Sequence, residues 1–365
     1  MSRFGYVGLV SLLLLGPACR KEVEKVVVQE VDKQYSWAPA GRLFGTQAIV
    51  LGMGRDQESV YLHQPNQLGT LTPTATSARY RSLGYYNNAA AYLPADVNIR
   101  VPLSANFIAT REPGDTLVRL VRPTDPVTSS TYGYIRLRQL DPQALAVSSV
   151  DLPGMAFGAI NRNDYLLFSY YSKDLQALKF VLSKVSLLAG TRLQAQSRVL
   201  SVPVGQSSAR VRWIVAIDDY FLANCGNAGL YKIREDGTAR RVLGYSVTDA
   251  CYKWQGVVYL VEEYNSILLS QDDGDTWQRY TGTPSLFDFT TYRVVGDSLV
   301  GISRSSLPYL FTLRWQGQRF TTRMLKSDGL GQTAVNGLEQ LGDTVYLGTT
   351  GGLFKRPLSK FFESK

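Results

Sequence analysis

The sequence predicts an all-β fold assembled from one repeated unit, and three observations carry that expectation. A polar turn followed by a short strand-forming run recurs seven times, at spacings from the high thirties to the high fifties. Hydrophobic residues make up 45% of the chain and aromatics 11%, enough to fill a large core and far from a disordered composition. Ser270-Gln271-Asp272-Asp273-Gly274-Asp275-Thr276-Trp277 reads as a tight hairpin reversal between two strands. Repeats of this length match the four-stranded blades of a β-propeller, and 365 residues is a size at which such a fold forms one domain. The expectation is a single propeller over residues 46–365 with seven blades of four antiparallel strands. An export signal over 1–18 and a tether over 19–45 precede it.

The elements follow in chain order. Arg3 supplies a small positive head, Phe4 to Leu15 is apolar, and Gly16-Pro17-Ala18 lead to Cys19. That apolar run is shorter than the ~20 residues a membrane-spanning helix needs, so it reads as a signal segment. Arg20 to Lys33 mixes charges with Val26-Val27-Val28, and Pro39-Ala40-Gly41 close the tether. The repeated strands then open at Glu58-Ser59, Gly114-Asp115, Asn163-Asp164, Asp218-Asp219, Gln255-Gly256, Gly296-Asp297 and Gly342-Asp343. The last four units are regular, whereas the first three are longer and less alike. Gly229 to Ile233 leads into Glu235-Asp236-Gly237, in the same register as Asp272-Asp273-Gly274. The final unit ends soon after Gly352-Leu353-Phe354-Lys355, so a strand from the N-terminal side is expected to close the ring. Val181 to Leu193 is the best helical candidate, but its Val, Ser and Gly190 read as strand and turn.

The octapeptide has a physical logic of its own. Asp272 can fold its carboxylate onto turn amides, and Gly274 supplies the positive φ of the reversal. Ser270 and Thr276 flank it, and Trp277 is large enough to anchor the hairpin in a core. The pattern Ser-x-Asp-x-Gly-x-Thr-Trp resembles the Asp-box (BNR repeat) of sialidase-like and sortilin-like β-propellers. The resemblance implies a folding device on the outer hairpin of a blade. The N-terminus resembles a bacterial lipoprotein signal, which implies that Cys19 becomes the lipid-modified first residue of a membrane-anchored envelope protein, facing the periplasm or on the outer membrane. Ordinary secretion is the alternative.

Composition and motifs exclude several chemistries. The formal charge is +9, but Lys and Arg are dispersed and form no phosphate-tracking block, so no nucleic-acid partner is expected. His63 is the only histidine, which leaves no Ser-His-Asp triad and no Cys/His metal cluster; no catalytic set, cofactor or metal is assigned. The Asp-box resemblance implies one enzymatic alternative, a sialidase-like glycoside hydrolase. Glu262 and Glu263 do not form its carboxylate pair, because consecutive strand residues point to opposite faces. Binding is the favoured class, with a glycan or an envelope protein as partner and a monomeric chain. The candidate binding face gathers loop residues Tyr85, Tyr86, Asn87, Tyr170, Tyr171, Asn224, Glu262, Tyr264 and Arg304, whose rings and amides can stack on and hydrogen-bond to such partners. If Cys19 is lipidated, Cys225 and Cys251 remain as a pair. An exported protein meets an oxidising compartment, so a disulfide is expected, with two buried free thiols as the alternative.

The anchor has a direct test. Cys19→Ser should block processing and release the protein from membrane fractions, because an acyl chain contributes about 0.8 kcal/mol per buried CH₂ and dominates any attraction by Lys or Arg. Unchanged membrane association of the variant would refute the lipoprotein reading.

Overall fold

In the computed structural model of the chain, the described residues are 35–40, 49–50, 52–55, 59–64, 67–73, 79–82, 107–111, 115–121, 132–146, 158–174, 176–188, 192–203, 210–245, 250–262, 266–281, 290–303 and 309–364. They form antiparallel sheets in succession. Sheet 1 consists of Gly52–Arg55, Val60–Gln64, Gln67–Leu71 and Arg79–Ser82. Sheet 2 has three strands, Ile108–Arg111, Leu117–Val121 and Tyr132–Arg136. Sheet 3 has Ala159–Ile160, Tyr165–Tyr170 and a long hairpin of Ala177–Leu188 with Arg192–Pro203. Sheet 4 has Trp213–Ile217, Tyr220–Asn224, Leu230–Arg234 and Ala239–Leu243. Sheet 5 has Ala250–Trp254, Val257–Glu262, Ser266–Ser270 and Gln278–Thr281. Sheet 6 has Thr290–Val295, Ser298–Ser303, Leu310–Gln316 and Arg319–Met324. Sheet 7 has Val335–Leu341, Thr344–Thr349 and Gly352–Pro357. The first strands of sheets 3 through 7, and then of sheet 1, abut in order, which makes them the inner strands of a β-propeller.

Side chains alternate across each strand, and both faces of the central strands are buried. In Tyr220–Asn224, Tyr220 and Leu222 enter the cluster shared with sheet 5, while Phe221 and Ala223 enter the one shared with sheet 3. Val258 and Leu260 likewise face sheet 4, and Tyr259 and Val261 face sheet 6. Apolar runs such as residues 257–261 of the strand Val257–Glu262 follow from this double burial.

The expected seven four-stranded blades are not what forms: among the described residues six sheets have four strands and sheet 2 has three. After Tyr132–Arg136 the chain enters a helical turn, Leu137–Leu140, with Leu137 buried and the Asp141 N–H bonded to the Leu137 carbonyl at 2.7 Å. The long hairpin of sheet 3 instead packs on sheet 2. A Cβ at Gly133 would lie 2.1 Å from the Leu193 carbonyl oxygen, so the close backbone approach requires glycine there. Val181 to Leu188 is strand, as its composition indicates.

Ring closure comes from Ala38–Pro39, within the stretch expected as tether. These residues pair with Lys355 and Phe354 as the fourth, outermost strand of sheet 7. Proline is tolerated at such an edge, where no ladder N–H is needed on its outer side. The strap is fixed from both ends: the Ala40 N–H donates to the Leu353 carbonyl at 2.8 Å, and the Ser36 N–H donates to Asp328 Oδ2 at 2.9 Å. Trp37, 1% exposed, meets Phe361 edge-on at 6.0 Å and donates its indole N–H to the Lys326 carbonyl at 3.2 Å.

Trp37→Ala should therefore cost about 3–5 kcal/mol as a core truncation and open the ring at sheet 7 before the rest unfolds. Hydrogen exchange is the check: amides of Gly352–Pro357 should lose protection earlier than those of Val257–Glu262. Equal loss in both strands would argue against the strap as the closing element.

Candidate functional site

The 270–277 hairpin is held by its own side chains. The Ser270 hydroxyl donates to Asp272 Oδ1 at 2.7 Å and accepts the Gly274 N–H at 2.7 Å. Asp272 Oδ1 also accepts the N–H groups of Asp275 (3.1 Å) and Thr276 (2.8 Å), and Oδ2 accepts the Thr276 hydroxyl at 2.6 Å. The Thr276 hydroxyl and amide, with Ser270, hold the Asp272 carboxyl far below the usual carboxylate range. Gly274 has φ 85° and Asp273 has φ 57°, as a tight reversal demands. Trp277 is half-buried rather than in the deep core and packs against the cluster between sheets 4 and 5.

The remaining acids of the turn reach outward to neighbouring strands. Asp275 pairs with Lys232 at 2.9 Å and Arg234 at 3.5 Å, and also with Arg240, all on sheet 4. Lys232 is buried and lies 4.5 Å above the Tyr220 ring. Asp273 pairs with Lys253 at 2.7 Å, and Lys253 also binds Asp218 in the first turn of sheet 4. The hairpin thus stitches sheet 5 to sheet 4.

Four residues of the expected loop face fall among the described residues. Tyr170 is buried, and its hydroxyl donates to Asp141 Oδ2 at 2.8 Å beside the Ser172 hydroxyl at 3.0 Å. Burial and that carboxylate push its phenol up. Asn224 is buried and accepts the Gly226 N–H at 3.0 Å. Glu262 is buried and clasped by Arg279, through Nη2 at 2.9 Å and Nε at 2.9 Å, and by the Ser266 hydroxyl at 2.7 Å. Arg279 also donates to the Tyr245 hydroxyl at 2.7 Å. Tyr171 is 40% exposed. Tyr170, Asn224 and Glu262 are turned inward to fasten loops, while Tyr171 is presented to solvent. Cys19, Tyr85, Tyr86, Asn87, Tyr264 and Arg304 lie outside the described residues.

The expected disulfide does not form: Cys225 and Cys251 are buried thiols that are not bonded to each other. Cys225 belongs to the cluster between sheets 3 and 4, and Cys251 to the one between sheets 4 and 5. Sheet 4 stands between the two thiols, so their side chains point into different cores. Burial pushes the Cys225 thiol up to about 12.

A cleft of about 900 Å³ opens between the hairpins of sheets 5 and 6. Two tryptophans, Trp254 and Trp315, line it together with Tyr259, Gln255, Gln316 and the guanidinium-bearing Arg314 and Arg323. Both tryptophans are half-buried. Behind them the wall is aromatic: Tyr252 stacks on Tyr259 at 5.0 Å and 9°, and meets Tyr292 at 4.4 Å. Trp315 meets Tyr280, Tyr259 and Phe320 at interplanar angles of 81°, 69° and 65°. Arg323 is positioned by donating to the Phe362 carbonyl at 3.0 Å. The loop-based reading missed this cleft. Its signal was present in the chain as a repeated tripeptide, Trp254-Gln255-Gly256 and Trp315-Gln316-Gly317. Gly256 (φ 79°) and Gly317 (φ 66°) each make the positive-φ reversal of a hairpin turn, which carries the preceding Trp and Gln to the same cleft.

No protein-family model and no curated protein matches this sequence. Solved structures do resemble it in fold. A virginiamycin B lyase from Staphylococcus aureus, in a catalytically inactive form with quinupristin, aligns with TM-score 0.53 at 10% identity over 88% of this chain and 98% of its own. YCF48 bound to D1 peptide aligns with TM-score 0.50 at 13% identity over 90% and 98%. BamB from Moraxella catarrhalis aligns with TM-score 0.44 at 11% identity over 83% and 82%. At such identities the likeness to the first two shows the β-propeller fold alone.

Asp272→Ala should cost about 1 kcal/mol, because the turn amides lose their acceptor but sit where water can replace it. Since the folded carboxyl is held below its unfolded value, its contribution is complete above pH ~4 and fades as pH falls toward the folded value. The stability difference between wild type and variant, measured by urea unfolding, should be full at neutral pH and shrink in acid. A difference independent of pH would show that the ionised carboxylate is not what holds the turn.

Proposed function

We propose that the chain is an exported, lipid-anchored β-propeller that serves as a binding or scaffolding module in the bacterial cell envelope, with a glycan or an envelope protein as its partner. The observation that carries the reading is an aromatic- and arginine-lined cleft of about 900 Å³, set between sheets 5 and 6 of the propeller. A volume of that size is typical of ligand sites. The signal-like segment ending at Cys19 supports export and anchoring. The octapeptide at 270–277 acts as an Asp-box in this reading, and its bonds serve the hairpin and the sheet 4 junction. Glu262, the acid nearest to a hydrolase role, is already occupied by Arg279 and Ser266. A propeller structure solved with a peptide, YCF48, shows that a partner-bound form of this fold exists.

The chain from residue 20 onward, which carries no lipid, should co-sediment saturably with detergent-extracted cell-envelope fragments, and soluble cytoplasmic extract should not compete. Absent or non-saturable sedimentation would refute the binding-module reading.

A further inference from the structure

The geometry points to a defined ligand class for the cleft between sheets 5 and 6: a short, anionic oligosaccharide. This rests on the binding-module reading and deepens it. The two Trp-Gln-Gly hairpins present the same pair of groups from opposite walls, an indole followed by a carboxamide. An indole offers a flat apolar surface to the C–H face of a sugar ring, and a carboxamide offers a donor and an acceptor to adjacent hydroxyls. The described ring neighbours of Trp315 stand steeply to it, at 65° to 81°, rather than stacking flat on it. Thr312 and Thr321 also line the cleft, their hydroxyls donating to the Arg323 and Arg314 carbonyls at 3.5 and 3.2 Å.

Charge selects the anionic form. Arg314 and Arg323 line the cleft against one acid, Asp297, and a guanidinium fork matches a carboxylate or sulfate bidentately. Arg323 already has one donor pinned to the Phe362 carbonyl, which holds its fork in place. An extended peptide is the less suitable occupant. Peptides that add to a sheet need free backbone groups; Leu313 and Thr312 pair with Leu299 and Val300 on one side and Thr322 and Arg323 on the other, so only the outer edge of Arg319–Met324, the last strand of sheet 6, offers such groups. Trp254 and Val257 likewise pair with each other. Apart from that edge, the cleft offers side chains, the mode in which sugars are recognised, and the tetraglutamate comparison tests the edge directly.

Trigalacturonate is the test ligand, with maltotriose as the neutral comparison and tetraglutamate as the peptide comparison. Binding to the mature chain is read by tryptophan fluorescence and calorimetry. Trigalacturonate should bind saturably and about tenfold more tightly than maltotriose or tetraglutamate. Trp254→Ala and Arg314→Gln should each weaken it by about tenfold or more, while Tyr171→Ala, at the other end of the ring, should leave it unchanged. Thermal unfolding verifies that each variant is folded, and Arg314→Gln, at an exposed position, serves if Trp254→Ala is not. No saturable change at millimolar trigalacturonate would overturn the proposal. So would undiminished binding in both cleft variants, preference for maltotriose, or tighter cleft-dependent binding of tetraglutamate. Envelope co-sedimentation that survives in Arg314→Gln while trigalacturonate fails to bind would overturn the saccharide site and leave the binding-module reading standing.

Discussion

Burial of both faces of strands such as Tyr220–Asn224 and Val257–Glu262 is the constraint on which the remaining structure depends. A sheet such as Tyr220–Asn224 with its neighbours has no polar face to turn to water; Leu222 needs sheet 5 and Phe221 needs sheet 3. Each sheet is stable only between two others, so an open row would expose apolar surface and strand edges at both ends. The strap at 35–40 answers this by joining the first-arriving part of the fold to the last. Trp37 fills the cluster between sheets 6 and 7, and Ala38–Pro39 covers the free edge of Gly352–Pro357.

Polar contacts act at the junctions between neighbouring sheets. Asp275 draws Lys232, Arg234 and Arg240 of sheet 4 to the outer hairpin of sheet 5, and Lys253 joins Asp218 to Asp273. At the inner strands Glu339 of sheet 7 lies between Arg293 of sheet 6 (3.3 Å) and Arg55 of sheet 1 (3.7 Å). Burial raises the Glu339 carboxyl, and the two arginines oppose that shift. Buried pairs of this kind add little net stability against an apolar alternative, but removing one partner leaves a costly charge. Their value here is register, since each ties a specific turn to a specific neighbour. Alternation of antiparallel strands places the first and third turns of a sheet at one end, so the 255–256, 296–297 and 316–317 turns that frame the cleft share the end that carries these contacts.

Much of the fold was legible because its signals are local. The seven turn-and-strand units each correspond to a strand, and the 270–277 hairpin uses the residues its pattern names. The fourth strand of sheet 2 was inferred from regularity, yet the residues after Arg136 form a helical turn that buries Leu137. The Cys225–Cys251 pair was inferred from strand ends, but which core a strand-end side chain enters depends on the parity of its position, and sheet 4 separates the two thiols. Among the loop candidates, Tyr170, Asn224 and Glu262 have polar groups that local partners consume. The Trp-Gln-Gly repeat escaped notice because its copies occupy different turns of their sheets, the first of sheet 5 and the last of sheet 6.

The sequence by itself determined the all-β class, the turn positions, the repeat and the local hydrogen-bonding of the Asp272 hairpin, because each depends on residues within a few positions of one another. Only the tertiary structure decided the strand count of sheet 2 among the described residues, the closing role of Ala38–Pro39, the separation of the two cysteines and the cleft that Trp254 and Trp315 line together. Those outcomes depend on which faces of distant strands are pressed together when the ring closes, a contact no short segment encodes.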